Sequence, residues 1–213
     1  MQTYEGKDVT VTFDGQRCIH SRRCVMGEPG VFQAGVKGAW IFPDNATAED
    51  LVRIACSCPS GAITVTRKDG GEGEPVPRAN TVTVRENGPL AFLAELTIEG
   101  QGGEMKRATL CRCGLSKNKP YCDNSHIEGG FDATGEPAAR ESQLAITDLV
   151  GPVVVTPTEN GPLMVVGKIE IESGTGRNVN RVGKAFLCRC GHSANKPYCD
   201  GSHKRVGFEA PAG

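Results

Sequence analysis

The stretch LCRCGLSKNKPYCDNSH at residues 110–126 returns as LCRCGHSANKPYCDGSH at residues 187–203. Upstream, NGPLAFLAELTIEG at 87–100 returns as NGPLMVVGKIEIES at 160–173. Downstream, each copy closes on Gly-Phe, at Gly130-Phe131 and Gly207-Phe208. The second half of the chain is therefore an internal repeat. The offset between copies grows from 73 to 77 residues before the second LCRCG. An insertion there is expected at a hairpin tip, where extra residues disturb packing least.

The residues leading into each copy read as β-structure. Thr81-Val82-Thr83-Val84 and Val153-Val154-Val155 are β-branched runs, and Leu90 to Ile98 and Leu163 to Ile171 read as strands closed by glycine-rich turns. A third strand is expected before each cysteine motif, followed by a metal-binding loop and a short helix. The segment RKDGGEGEPVPRAN at 67–80 lacks apolar periodicity and reads as a flexible tether, and residues 132–143 read as a second connection. These shifts place domains at 1–68, 80–137 and 144–213.

Each copy has the spacing Cys-x-Cys-x8-Cys-x3-His, with Cys111, Cys113, Cys122 and His126 in the first and Cys188, Cys190, Cys199 and His203 in the second. Three thiolates and one imidazole suit either zinc or an iron–sulfur cluster, and the four ligands alone permit a structural Cys3His zinc site. The spacing favours the cluster. Two Cys one residue apart can hold one iron, while Cys and His at i, i+4 on one helix face can hold another. Structural zinc sites typically show two to four residues between paired Cys.

These residues resemble the CDGSH iron–sulfur domain of the mitoNEET-like proteins. The match extends to Ser116 and Ser193, Pro120 and Pro197, and Asp123 and Asp200. The resemblance implies a [2Fe–2S] cluster in each copy, with Cys111 and Cys113 on one iron and Cys122 and His126 on the other. In the second copy Cys188 and Cys190 take one iron, and Cys199 and His203 take the other. It also implies a β-rich fold whose two units pair about a two-fold axis, here within one chain. The first copy departs from the family at Asn124, where the second has Gly201. If that position needs a left-handed backbone, Asn is the next most tolerant residue. One imidazole in place of a thiolate leaves the cluster less negative, so its potential is expected above that of plant-type ferredoxins near ~−400 mV. His192 and His20 are read as loop histidines rather than ligands.

Four more Cys lie near the N-terminus: Cys18, Cys24, Cys56 and Cys58. The Cys-Pro at Cys58-Pro59 looks like the end of a bacterial ferredoxin ligand set, and Cys18 and Cys24 keep the outer two ligands of its usual run, with Ser21 in the middle place. Val9 to Phe13 alternates as a strand. Thr47-Ala48-Glu49-Asp50 opens a helix through Val52, Ile54 and Ala55 that is expected to deliver Cys56 and Cys58, and Ala62 to Val65 returns as a strand. Residues 1–66 thus resemble a divergent single-cluster ferredoxin domain. Cys18, Cys24 and Cys58 alone would suit a [3Fe–4S] cluster. Cys56 is either a fourth ligand, permitting [4Fe–4S], or a buried structural thiol.

The expected fold class is α+β, a small ferredoxin-like N-terminal domain plus two CDGSH repeats forming an intramolecular pseudo-two-fold dimer. Aromatic residues make up only 5% of the chain, so its cores need staples, and ten Cys are the candidates. No basic start followed by an apolar run opens the chain, and no apolar stretch reaches membrane-spanning length. A soluble, cytoplasmic protein with reduced, metal-binding thiols is the expectation. The formal net charge of −1 argues against nucleic-acid or membrane partners. No dinucleotide fingerprint and no nucleophile–base constellation is present, so an enzyme is not expected. The expected role is electron transfer with redox partner proteins. The alternative is a [2Fe–2S] carrier serving apo-acceptor proteins, or a sensor of redox state and pH. The internal pair removes the need for a second chain.

Overall fold

A computed structural model describes all residues, Met1–Gly213, as two compact units, Met1–Pro75 and Val76–Gly213. The first is built on a three-stranded antiparallel sheet of β1 (Gln2–Glu5), β2 (Val9–Phe13) and β3 (Ile63–Arg67), with β2 in the middle. Alternation in β2 turns Val9 and Val11 inward. A five-residue helix, α1 (Arg23–Gly27), carries Cys24, and α2 (Ala48–Ser57) covers the core with Leu51, Ile54 and Ala55. Thr47 caps α2 as expected, its hydroxyl oxygen accepting from the Asp50 N–H at 3.2 Å. Trp40 closes the core edge-to-face on Phe13, ring centroids 4.9 Å apart. Strand β1 and helix α1 carry too few apolar residues for a periodic signal, and neither was anticipated.

In the second unit each repeat is a three-stranded meander: β4 (Thr81–Val84), β5 (Leu90–Ile98) and β6 (Glu104–Leu110), then β7 (Pro152–Pro157), β8 (Leu163–Glu172) and β9 (Asn178–Leu187). Two parallel pairings join the meanders into one six-stranded sheet, β4 along β8 and β5 along β7. Their registers are reciprocal. Thr81 pairs with Glu170, and Val154 pairs with Thr97, which is the same pair with both partners exchanged by the 73-residue offset. One hydrophobic core serves both repeats, running from Val82, Phe92 and Leu96 to Val155, Ile169 and Ile171.

The extra residues of the second repeat do not sit at a hairpin tip. Strands β8 and β9 have ten residues each where β5 and β6 have nine and seven, and both turns, 99–103 and 173–177, are equally long. Both hairpins share one register shift, at Leu93/Leu96 and Val166/Ile169, and the second hairpin adds another at Ile171/Glu172. A bulge takes up an inserted residue without breaking the ladder on either side.

Asn80, read from sequence as the end of a tether, is a buried joint of the second unit. Its Nδ2 donates to the Gly151 carbonyl at 2.8 Å and the Lys168 carbonyl at 3.0 Å, and its Oδ1 accepts from the Glu95 N–H at 3.2 Å. Those three backbone groups lose their partner in Asn80→Ala. Its unfolding free energy is expected to fall by about 2–3 kcal/mol, read from the denaturant midpoint of the second unit. The connection through residues 132–143 is also stitched down, with N–H bonds from Arg140 to Val179 and from Gln143 to Arg181. No helix is long and apolar enough to cross a membrane.

Candidate metal centres

Strands β6 and β9 each end one residue before a cysteine, and the loop that follows folds straight back. The Cys111 N–H donates to the Pro120 carbonyl and the Cys122 N–H to the Thr109 carbonyl, at 2.8 and 2.9 Å. In the second copy Cys188 and Cys199 make the same bonds to Pro197 and Phe186. These closures bring the third Cys beside the first. Ser116 and Ser193 brace the loops by donating to the carbonyls of Tyr121 and Tyr198 at 2.7 and 2.6 Å. Asp123 and Asp200 accept from the Lys117 and Ala194 N–H groups, each at 2.8 Å. The Ser202 hydroxyl and backbone N–H, with that of Ala194, hold the Asp200 carboxyl well below the usual carboxylate range.

The short helices α3 (Ser125–Glu128) and α4 (Ser202–Arg205) carry the histidines. Cys122 and Cys199 lie outside them, so the expected shared helix face is not what pairs Cys with His. A left-handed residue does it, Asn124 at φ 69° and Gly201 at φ 85°, turning the chain so that the helix starts with its histidine facing the cysteine. Asn124 therefore meets the conformational demand of the Gly it replaces. The N–H of each also points at the cysteine sulfur, 3.4 Å away in both copies.

The sulfur atoms of Cys111 and Cys113 are 3.7 Å apart, and those of Cys188 and Cys190 are 3.8 Å apart. Cys122 Sγ lies 3.5 Å from His126 Nδ1, and Cys199 Sγ lies 3.4 Å from His203 Nδ1. A tetrahedral ion with metal–sulfur bonds of about 2.3 Å and metal–nitrogen bonds of about 2.0 Å has edges of about 3.8 Å and about 3.5 Å. Each pair thus has the separation that one edge of a single ion's coordination shell requires. No three His, Cys, Asp or Glu side chains gather around a single ion position. The donors are arranged as two pairs rather than one tetrad.

Burial grades across each centre. Cys111, Cys113, Cys122, Cys188 and Cys190 are buried, while His126, Cys199 and His203 are half-buried, so the imidazole is on the outward side of each centre. The shared proton with Cys113 pulls the Cys111 thiol down to about 6, and pushes Cys113 up, as burial also does. Burial pushes Cys122 and Cys190 up to about 11. It lowers the His126 imidazole, favouring the neutral, ligating form. His192 turns its Nδ1 to its own motif's Cys190 carbonyl at 2.8 Å.

The two loops meet back to back. Cys113 and Cys190 form an antiparallel bridge, and Gly114 and Gly191, both at φ +84°, lie against each other's neighbouring cysteine. Between the ligands of each Cys-x-Cys sits a buried arginine, Arg112 or Arg189, each 1% exposed. Reading for ligands passed over them, although their recurrence in both copies was a visible signal.

In the first unit, a cavity of about 390 Å³ is lined by Cys18, Cys24 and Cys58, with Phe13, Trp40 and Ile63 among its walls. The His20 N–H points at Cys18 Sγ at 3.4 Å, and Ser60 Oγ lies 3.6 Å from Cys58 Sγ. Burial pushes the Cys18 and Cys24 thiols up, and the nearby Cys58 adds to both. Cys56 does not line this cavity. It sits in the last turn of α2, whereas Cys58 is the extended residue that caps the helix end, so the two side chains leave the chain from different backbone conformations.

Thiolate and imidazole pairs at one-ion spacing, repeated twice and joined to a three-cysteine cavity, define an iron–sulfur class of protein. Comparison with known families agrees. The iron-binding zinc finger CDGSH type matches residues 60–127 and 160–204, and the divergent 4Fe-4S mono-cluster matches residues 4–68. The chain belongs to the CDGSH iron-binding family, with a divergent 4Fe-4S mono-cluster domain at its N-terminus. It is also similar to uncharacterized protein YjdI of Escherichia coli strain K12 and of Escherichia coli O157:H7. Each is 35% identical over 65 residues, which are 30% of this chain and 84% of the relative.

Proposed function

We propose that the protein is an electron-transfer protein with two [2Fe–2S] clusters and one N-terminal [3Fe–4S] or [4Fe–4S] cluster. Such clusters supply one-electron storage at a fixed point. Cys111 with Cys113, and Cys122 with His126, hold the two irons of one. Cys188 with Cys190, and Cys199 with His203, hold those of the other. Cys18, Cys24 and Cys58 hold the third. The observation that carries this reading is the division of each donor set into two pairs at one-ion spacing, with no three donors gathered on one position. A single zinc ion would draw all four ligands to one centre.

The reciprocal registers of β4–β8 and β5–β7 support an intramolecular pseudo-two-fold pair, with the Cys113–Cys190 bridge near the axis. The pairing fills within one chain what would otherwise need a second copy. In this reading the protein is cytoplasmic and not an enzyme, and its partners are redox proteins. Anaerobically purified protein is expected to be red-brown, with visible absorption bleached by dithionite and with acid-labile sulfide. Colourless protein containing zinc and no sulfide would refute the reading.

One observation favours a second role, as a [2Fe–2S] donor to apo-acceptor proteins. The half-buried Cys199 and His203 edge leaves one iron position near solvent. Protons compete with iron for an imidazole, so cluster loss is expected to be faster at about pH 5.5 than at about pH 8. Equal decay of the visible absorption at both would exclude release through the histidine. Movement of the cluster to an apo-ferredoxin, against electron exchange without movement, separates the two roles.

A further inference from the structure

The cavity of the first unit reaches the surface at its cysteine loop. His20, Ser21 and Arg22 all line it and all are exposed, so they form its rim. His20 and Arg22 are left-handed, at φ 53° and 62°, and the loop bulges outward there between two cysteines that line the cavity. The rim is basic: residues 17–24 carry three arginines and no acid. Arg17 Nη2 donates to the Ser60 carbonyl at 3.1 Å and Arg23 Nη1 to the Ser57 carbonyl at 3.2 Å, on either side of Cys58-Pro59. Arg22 and Arg23 enter no ion pair. No carboxylate lines the cavity. The nearest along the chain are Asp14, which accepts from the Gln16 N–H at 3.0 Å, and Glu28, which is paired with Arg53 at 2.8 Å.

That charge is not the charge of the unit. Residues 1–75 hold eight Lys and Arg against ten Asp and Glu. Five of those carboxylates are paired with Arg53, Arg67 and Lys68, none of which lines the cavity. The unit is thus acidic overall, with uncompensated cations gathered at the cavity mouth. Among them stands an apolar side chain, Met26, 73% exposed on α1 and one helical turn beyond Arg22 and Arg23. Arginine and methionine are enriched at protein interfaces, and the flexible thioether adapts to the surface it meets.

We propose that Arg22, Arg23 and Met26 form the docking surface for an acidic one-electron carrier protein at the mouth of the N-terminal centre. This rests on the electron-transfer reading above. Carboxylates of the carrier supply the counter-charge that the rim lacks, and Met26 supplies a dry contact beside the cavity. One electron crosses between the carrier's centre and the cluster; one is oxidised as the other is reduced, and no bond is made or broken. Exposed charges act over about 10 Å at moderate salt, so the arginines speed the encounter and select the partner.

The test uses the full-length, cluster-loaded protein and two probes: a flavodoxin, which is an acidic one-electron carrier, and cytochrome c, which is a basic one. Exchange is followed by stopped-flow absorption, with freeze-quenched electron paramagnetic resonance identifying the N-terminal cluster, and flavodoxin binding by calorimetry. At about 10 mM salt, Arg22→Glu is expected to lower both the exchange rate and the affinity for flavodoxin about tenfold, and at about 0.5 M salt the difference closes. Lys7→Glu makes the same charge change at a different depression of the unit and is expected to stay within about twofold of the parent. Arg22→Gln, which removes the charge without reversing it, gives an independent reading at about threefold should Arg22→Glu fail to load. Met26→Ala is expected to weaken binding about fivefold at both salt concentrations. Equal effects of Arg22→Glu and Lys7→Glu, an unchanged affinity in Met26→Ala, or exchange with cytochrome c as fast as with flavodoxin would overturn the docking surface and leave the electron-transfer reading standing. Binding to anionic phospholipid vesicles or RNA that Arg22→Glu abolishes, without salt-dependent exchange with flavodoxin, would assign the rim to those polyanions and overturn it equally. Exchange with neither carrier would refute the electron-transfer reading itself.

Discussion

Replacing Gly114 with alanine is expected to empty both C-terminal centres, although only one of them contains the residue. The added Cβ would lie 2.5 Å from the Cys190 carbonyl oxygen and 2.9 Å from its carbon, and Gly114 sits at φ +84°. The obstructing atoms are backbone of a ligand residue, so relief requires moving Cys190 or Cys113. Left-handed strain of about 1–2 kcal/mol adds to an overpacking cost of about 1–3 kcal/mol. The mirror change, Gly191→Ala, meets the Cys113 carbonyl oxygen at 2.3 Å and is expected to behave alike. Iron and acid-labile sulfide should fall to the content of the N-terminal centre. Gly102→Ala is the control, since its φ of +66° brings the strain but nothing lies within 4 Å. Two fully loaded C-terminal centres in Gly114→Ala would show that the loops do not abut.

The second large effect separates two cysteines that lie two residues apart. Cys58→Ser is expected to abolish the N-terminal cluster signal, and Cys56→Ser to leave it intact. Cys58 lines the cavity with Cys18 and Cys24, and Cys56 does not. Serine preserves the shape of each site while removing the sulfur ligand, so the contrast reads ligation rather than folding. Low-temperature electron paramagnetic resonance of oxidised and reduced protein gives the answer, because [3Fe–4S] and [4Fe–4S] clusters are paramagnetic in different oxidation states. Loss of the signal in Cys56→Ser would make Cys56 a fourth ligand and require α2 to unwind at its end.

Much of this was legible in the chain itself. The motif spacing picked out eight candidate donors, and the structure places them in four close pairs. The β-branched runs located the strands of both repeats, and Thr47 located the start of α2. Other features left no such mark. The i, i+4 spacing of Cys122 and His126 looked helical, yet a left-handed Asn124 makes the pairing. The inserted residues looked like a longer turn but lie in bulged strands. Asn80 looked like tether because its partners, Glu95, Gly151 and Lys168, are scattered along the chain.

The amino-acid order alone marked the candidate metal donors, since ligand type and short spacing are local properties that survive without knowledge of the fold. Tertiary structure decided how those atoms are shared out. Parallel pairing of β4 with β8 and β5 with β7 sets the two cysteine loops against each other. The end of α2 sends Cys58 into the cavity and leaves Cys56 outside it. The burial of Arg112 and Arg189, each held on backbone carbonyls of distant residues in its own repeat, arises the same way. Each depends on strands and helices far apart in sequence meeting in one register, which no local pattern encodes.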